Sequence, residues 1–293
     1  MLKDPFVRWA QFARERFEPV SHLLLILLFF MAHSVVAGGV PWTHGVPIFI
    51  GTFVFFFKLR LYDEIKDYEV DVEFNPTRPL ARGLLKHQDL YRGIVVCIGL
   101  ELLAFGSQGS AALSAIILAI IYSLLMYKEF FVGPWLRPYL TTYAVVHTAV
   151  SSLLSLAIFS AITGLGISSL GRTHYFFALN SWCLFNIFEF GRKTFVISEE
   201  RERVASYSGI FGRFGSVLLV ASMALISGVL LWEMMTPHAL ELRIFLTIVA
   251  GALIALGGLS AFLNEAPYGK IYRMASSIYI LLIHAGLLAA FSL

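Results

Sequence analysis

The sequence predicts an all-α polytopic membrane protein of about nine transmembrane helices, and three observations carry that reading. Hydrophobic residues make up 58% of the 293-residue chain and charged residues only 14%, far from the balance of a soluble domain. Mean hydropathy is +0.77, and the apolar residues fall into nine runs, each near the roughly 20 residues that a bilayer core requires. Lys and Arg collect on alternate connections: with the N-terminus inside, all but Arg172 and Arg243 of the 22 basic residues lie on one side. A miscounted helix would scramble that partition. The chain therefore reads as a single integral-membrane domain over 1–293, in the inner membrane if its source is bacterial. Its N-terminus is expected in the cytoplasm and its C-terminus on the opposite side.

Segment 1–19 is polar, with Phe6, Trp9, Phe12 and Phe17 at helical spacing, and predicts an amphipathic helix on the membrane surface. The first apolar run, 20–40, has too long a polar lead and too extended a core for a signal peptide, so it predicts a retained helix. Further runs follow at 46–62, 90–107, 111–128, 139–164, 175–190, 214–235, 240–263 and 270–292. Two connections, 58–92 and 189–213, are long and charged, and both place carboxylates where an apolar helix meets the cytoplasm. Their layout is a weak echo of internal duplication. Cys97 and Cys183 lie inside apolar runs, without disulfide or metal-ligand spacing. The basic residues are scattered through short loops, which excludes a nucleic-acid-binding face.

The stretch 58–83, KLRLYDEIKDYEVDVEFNPTRPLARG, packs Asp63, Glu64, Asp67, Glu69, Asp71 and Glu73 close together at the end of an apolar run. Asp63, Asp67 and Asp71 recur at i, i+4 and i+8, so on a helix they share one face. Like charges at that spacing repel and require cations. Oxygen-only ligands without nearby His or Cys point to Mg²⁺, which bridges carboxylates to a substrate's phosphates. Lys66, Arg78, Arg82 and Lys86 then supply direct phosphate contacts. A solvated charged loop is the plain alternative; the regular aspartate spacing followed by NPTRPLARG argues against it.

This arrangement resembles the UbiA superfamily of intramembrane prenyltransferases. The DExxDxxxD of Asp63, Glu64, Asp67 and Asp71 at the end of the second helix matches that family's first acidic motif, and Arg78-Pro79-Leu80 its RPL segment. The resemblance spans the whole chain and implies a helical bundle with a central cavity, open sideways to lipid, where an isoprenyl diphosphate binds through Mg²⁺. It places Glu64, Asp67 and Asp71 among the metal ligands, with Asp63 standing where the family usually has Asn. Arg78 falls on the RPL arginine. Tyr122-Ser123 and Lys128 resemble a Tyr-Ser pair and downstream Lys that lie near the diphosphate.

The second motif departs from the family's DxxxD: Glu189 is followed four residues on by Lys193. Glu189 can still bind metal while Arg192 and Lys193 grip the diphosphate directly. Alternatively Glu199 or Glu200, ahead of Glu202, swings back as a ligand, or Glu189 and Lys193 form only an i, i+4 ion pair. The expected site thus has Asp67, Asp71, Tyr122 and Lys128 as catalytic residues. Lys66, Arg78, Arg82, Lys128, Arg192 and Lys193 bind diphosphate. Asp63, Glu64, Asp67, Asp71, Glu189, Glu199 and Glu200 bind metal.

The reading that follows is Mg²⁺-dependent transfer of a prenyl group to a hydrophobic or aromatic acceptor that no residue identifies. Metal and cations stabilise the departing diphosphate, and an apolar pocket shields the allylic cation from water. A cyclase of the same type, acting on the donor alone, is the alternative, and a transporter using the acidic face as an ion path is a further one. Glu101, His147, Asn180, Asn186 and His284 are polar groups at membrane depth. Of these, His147, one turn after Tyr143, is the expected cavity-lining group.

Overall fold

A computed structural model describes residues 4–201, 205–234 and 240–291. Glu202, named above, lies outside them, as do Lys3 and Arg203 among the basic residues counted there. Helix α1 (Pro5–Arg16) is capped by Asp4, whose carboxylate accepts from the Phe6 N–H at 2.8 Å, and Pro5 opens its first turn. Its apolar side packs into the protein: Trp9 and Phe12, with Phe17 just beyond the helix, surround Phe57. Phe6 stays exposed. The amphipathic helix is therefore present, with most of its aromatic face turned onto the bundle.

The remaining helices are α2 (Pro19–Val36), α3 (Trp42–Lys66), α4 (Tyr68–Phe74), α5 (His87–Gly106), α6 (Ser110–Tyr127) and α7 (Gly133–Leu136). They continue with α8 (Leu140–Thr148), α9 (Val150–Thr163), α10 (Arg172–Arg192), α11 (Tyr207–Met234), α12 (Leu240–Leu263) and α13 (Ala266–Phe291). With α8 and α9 meeting at Ala149 to form one stretch, Leu140–Thr163, long helices among the described residues cover all nine expected runs. Seven are long and apolar enough to cross a membrane. The other two, α5 and α10, have 20 and 21 residues. At 1.5 Å per residue each reaches about 30 Å, the thickness of a bilayer core. Their hydropathy is lowered by polar groups that find partners inside the protein. Glu101 on α5 accepts from Lys58 at 2.5 Å, with both side chains fully buried. On α10, Asn180 accepts from Ser227 and Asn186 from Thr148.

Packing runs α3–α5–α6–α9–α10–α11–α12–α13–α2 and back to α3, closing a ring. One apolar core fills the half built from α1 to α6 and a second the half built from α10 to α13, with α9 contributing to both. Gly191 lets α10 press onto α13, since a Cβ there would fall 2.2 Å from that of Ser276.

Two expectations change. Lys58, read as the start of a cytoplasmic loop, lies inside α3, and that connection begins only after Lys66. Likewise α10 runs to Arg192 and α11 starts at Tyr207, so the second charged connection is shorter than 189–213. The acidic face is also interrupted. Asp67 ends α3 and α4 resumes at Tyr68, although the Asp67 and Asp71 N–H groups still donate to the carbonyls four residues back. The side chains of Asp63 and Asp67 are half exposed (48% and 55%), whereas that of Asp71 is 4% exposed.

Candidate active site

A cavity of about 440 Å³ opens where the C-terminal ends of α3 and α10 meet the N-terminal end of α8. That volume lies within the roughly 300–1,000 Å³ of small-molecule sites. Its two ends differ in chemistry because each helix crosses from a charged turn to an apolar one. Along α3 the wall changes from Lys66 and Asp63 to Phe56 and Phe55; along α10 it changes from Lys193 and Glu189 to Phe185. Met126, Val150 and Leu154 complete the apolar floor.

Among the described residues the wall carries six cations (Arg16, Arg60, Lys66, Arg78, Arg192 and Lys193) against three carboxylates (Asp63, Asp67 and Glu189). Asp63 pairs with Arg60 at 3.4 Å. Arg78 holds Asp71 at 2.7 Å and stands 3.9 Å from Asp67. Partial burial and the neighbouring Asp71 push the Asp67 carboxyl above the usual carboxylate range. Across the cavity, Glu189 accepts from Arg192 at 2.6 Å and from Lys193 at 2.9 Å. The i, i+4 ion pair foreseen as one option for Glu189 and Lys193 is thus formed, joined by Arg192. Lys66 turns to α8, donating to the Tyr143 hydroxyl at 2.5 Å and lying 3.4 Å from His147 Nε2.

Several expected site residues are not brought to the cavity. Glu64 is fully buried, held by Arg16 at 2.5 Å and by the Leu80 N–H at 3.2 Å, so it anchors the RPL turn. Asp71 is spent on Arg78 and Asn75. Arg82 forms a two-point ion pair with Glu15 of α1. The Tyr122 hydroxyl donates to the Val146 carbonyl, and Lys128 lies over the Tyr127 ring at the end of α6. Lys86 caps α5. Glu199 is clamped by both Arg273 nitrogens at 2.6 Å, which hold its carboxyl below the usual range, and Glu200 accepts from Ser206. Of the other polar groups at membrane depth, His147 lines the cavity as expected.

Among the described residues no three Asp, Glu, His or Cys side chains gather into a metal-binding group. The seven-ligand set therefore does not fit this structure. Asp63 and Asp67 do fit the protein's share of one Mg²⁺, an ion usually held by one or two carboxylates, its own waters and substrate phosphates. The sequence reading missed Arg16, Arg60 and the floor residues Phe55, Phe56 and Phe185. Arg60 had a local signal, its i, i+3 spacing to Asp63; the others line the cavity only through tertiary packing.

No protein-family model matches the chain, nor does any curated protein. Solved structures do. A digeranylgeranylglyceryl phosphate synthase superposes with a TM-score of 0.64 at 13% identity, over 97% of this chain and 98% of that one. The apo structure of a UbiA homolog from Aeropyrum pernix K1 superposes with a TM-score of 0.58, also at 13% identity, over 92% of this chain and 98% of that one. The molecule is a polytopic helical membrane protein. Its fold is the UbiA-type bundle, shared along nearly the whole chain.

Proposed function

We propose that this protein is a UbiA-superfamily intramembrane prenyltransferase that ionises an isoprenyl diphosphate and passes the prenyl group to an acceptor. The observation that carries the reading is the polarity of one cavity, with six cations toward one end and a floor of Phe, Leu, Val and Met at the other. An amphiphile with a polyanionic head and an apolar tail matches both ends. Arg78, Arg192 and Lys193 grip the diphosphate with charge-assisted hydrogen bonds. Asp63 and Asp67 would hold one Mg²⁺, which would supply Lewis-acid stabilisation to the leaving group. Phe56 and Phe185, stacked 5.7 Å apart, exclude water from the allylic carbon and face it with π density. The charged end lies on the cytoplasmic side, following the bias of the basic residues.

The test uses the full chain in detergent micelles with Mg²⁺ and radiolabelled geranyl or geranylgeranyl diphosphate. Release of diphosphate that is lost in Asp67→Asn supports the reading; absence of both donor binding and release from the unsubstituted protein sinks it. The aromatic floor also suits a cyclase. A cyclic hydrocarbon or alcohol formed from donor alone would favour that second activity.

A further inference from the structure

On the cavity wall, reaching from the charged rim toward the apolar floor, Lys66, Tyr143 and His147 form a connected group. His147 Nδ1 lies 2.7 Å from the Tyr143 carbonyl, which can only accept, so Nδ1 carries the proton. Nε2 therefore presents a lone pair, with the Lys66 ammonium 3.4 Å away and the Met126 backbone also within reach of the ring. The ring is held in place by stacking on Tyr143, with centroids 3.8 Å apart and planes 16° apart. A lone pair beside an ammonium is complementary to a hydroxyl: its oxygen accepts from Lys66 while its hydrogen points at Nε2.

Ser151 and Leu154 follow His147 on the wall toward the floor, while Lys66 sits at the rim. A donor with its head among Arg78, Arg192 and Lys193 and its tail along Leu154 would share that cavity with His147.

We propose that Lys66, Tyr143 and His147 form the acceptor end of the site, taking an alcohol or phenol, with His147 as general base; this rests on the prenyltransferase reading above. The bond from the first prenyl carbon to the diphosphate oxygen breaks, and its electron pair leaves with the diphosphate. The acceptor oxygen bonds to that carbon, its proton moves to His147 Nε2, and the product is an ether. The proton then passes to water or to the departing diphosphate.

The experiment gives full-length protein, in membranes of the expressing cells as the acceptor source, ¹³C-labelled geranylgeranyl diphosphate and follows labelled lipids by mass spectrometry. The expected product is a prenyl ether. His147→Gln should lower kcat for its formation on the order of 10²-fold, the contribution of a general base, with the KM for donor within twofold. His147→Ala should regain transfer when imidazole is added, which a merely structural role would not produce. Ether formation by His147→Gln at the unsubstituted rate overturns the proposal, as does a carbon–carbon linked, cyclised or simply hydrolysed product. Failure of the unsubstituted protein to bind donor instead overturns the prenyltransferase reading itself.

Discussion

At the end of α3 the cavity meets Asp63 and Asp67, half exposed and only loosely paired, whereas at the end of α10 it meets Glu189 with Arg192 and Lys193 already bound to it. The two corners occupy equivalent places, each following a long helix and preceding a charged connection. Yet one presents oxygen ligands and the other presents cations. On the proposed function, a diphosphate between them would be neutralised by a metal ion held at one corner and by fixed guanidinium and ammonium groups at the other. A layout that echoes duplication is thus used asymmetrically.

The acidic corner stands on α3, which the Lys58–Glu101 pair ties to α5 within the bundle. Lys58→Met strands the buried Glu101 and should cost about 3–5 kcal/mol. Thermal melting should show the loss, with most of it recovered in Lys58→Met/Glu101→Leu; an unchanged melting temperature would mean the pair does not hold the corner. Next in size, Asp67→Asn should lower Mg²⁺-stimulated diphosphate release on the order of 10²–10³-fold, read by phosphate-coupled assay. Equal sensitivity at Glu189 would erase the asymmetry.

On the basic side, Arg192→Gln should raise the KM for donor about tenfold or more, the worth of a charge-assisted hydrogen bond, with a smaller effect on kcat. Glu189→Gln sharpens the contrast further. If Glu189 serves to hold Arg192 and Lys193, its removal frees them and tightens donor binding by about twofold to fivefold, the scale of a partly exposed ion pair. Loss of the Mg²⁺ response in that variant would instead make Glu189 a ligand.

The smallest effect concerns Glu199, which leaves the cavity for Arg273. Its carboxyl is held below the usual value by the Arg273 hydrogen bonds, so its contribution is fully present above the ordinary carboxylate range. It is lost as pH falls through the lowered folded-state value. For this partly exposed pair the contribution is about 1 kcal/mol or less. Melting curves between pH 6 and pH 3 should show a shallower decline in Glu199→Gln than in the unsubstituted protein.

Local pattern carried much of this. The helix positions follow from hydropathy because lipid forbids unpaired backbone groups, leaving each long apolar run little choice but helix. Asp63 and Asp67 were legible because one helical turn separates them. Glu64 and Asp71 carried the same local signal but were taken up by Arg16, Leu80 and Arg78, partners that spacing along one helix does not reveal. Lys58 and Glu101 were each visible as charges near apolar runs, and only the packing of α3 on α5 makes them one ion pair.

By itself the sequence determined that the chain is a bundle of membrane helices, with an acidic turn after α3 and a basic one after α10. Those properties depend on composition and short-range spacing. Tertiary structure alone decided which charges face the cavity, which are spent on anchoring α1 and α13, and that Lys66, Tyr143 and His147 meet. The physical reason is that a charged side chain near a membrane interior binds the nearest opposite charge or lone pair, and nearness there is set by helix packing, not by position along the chain.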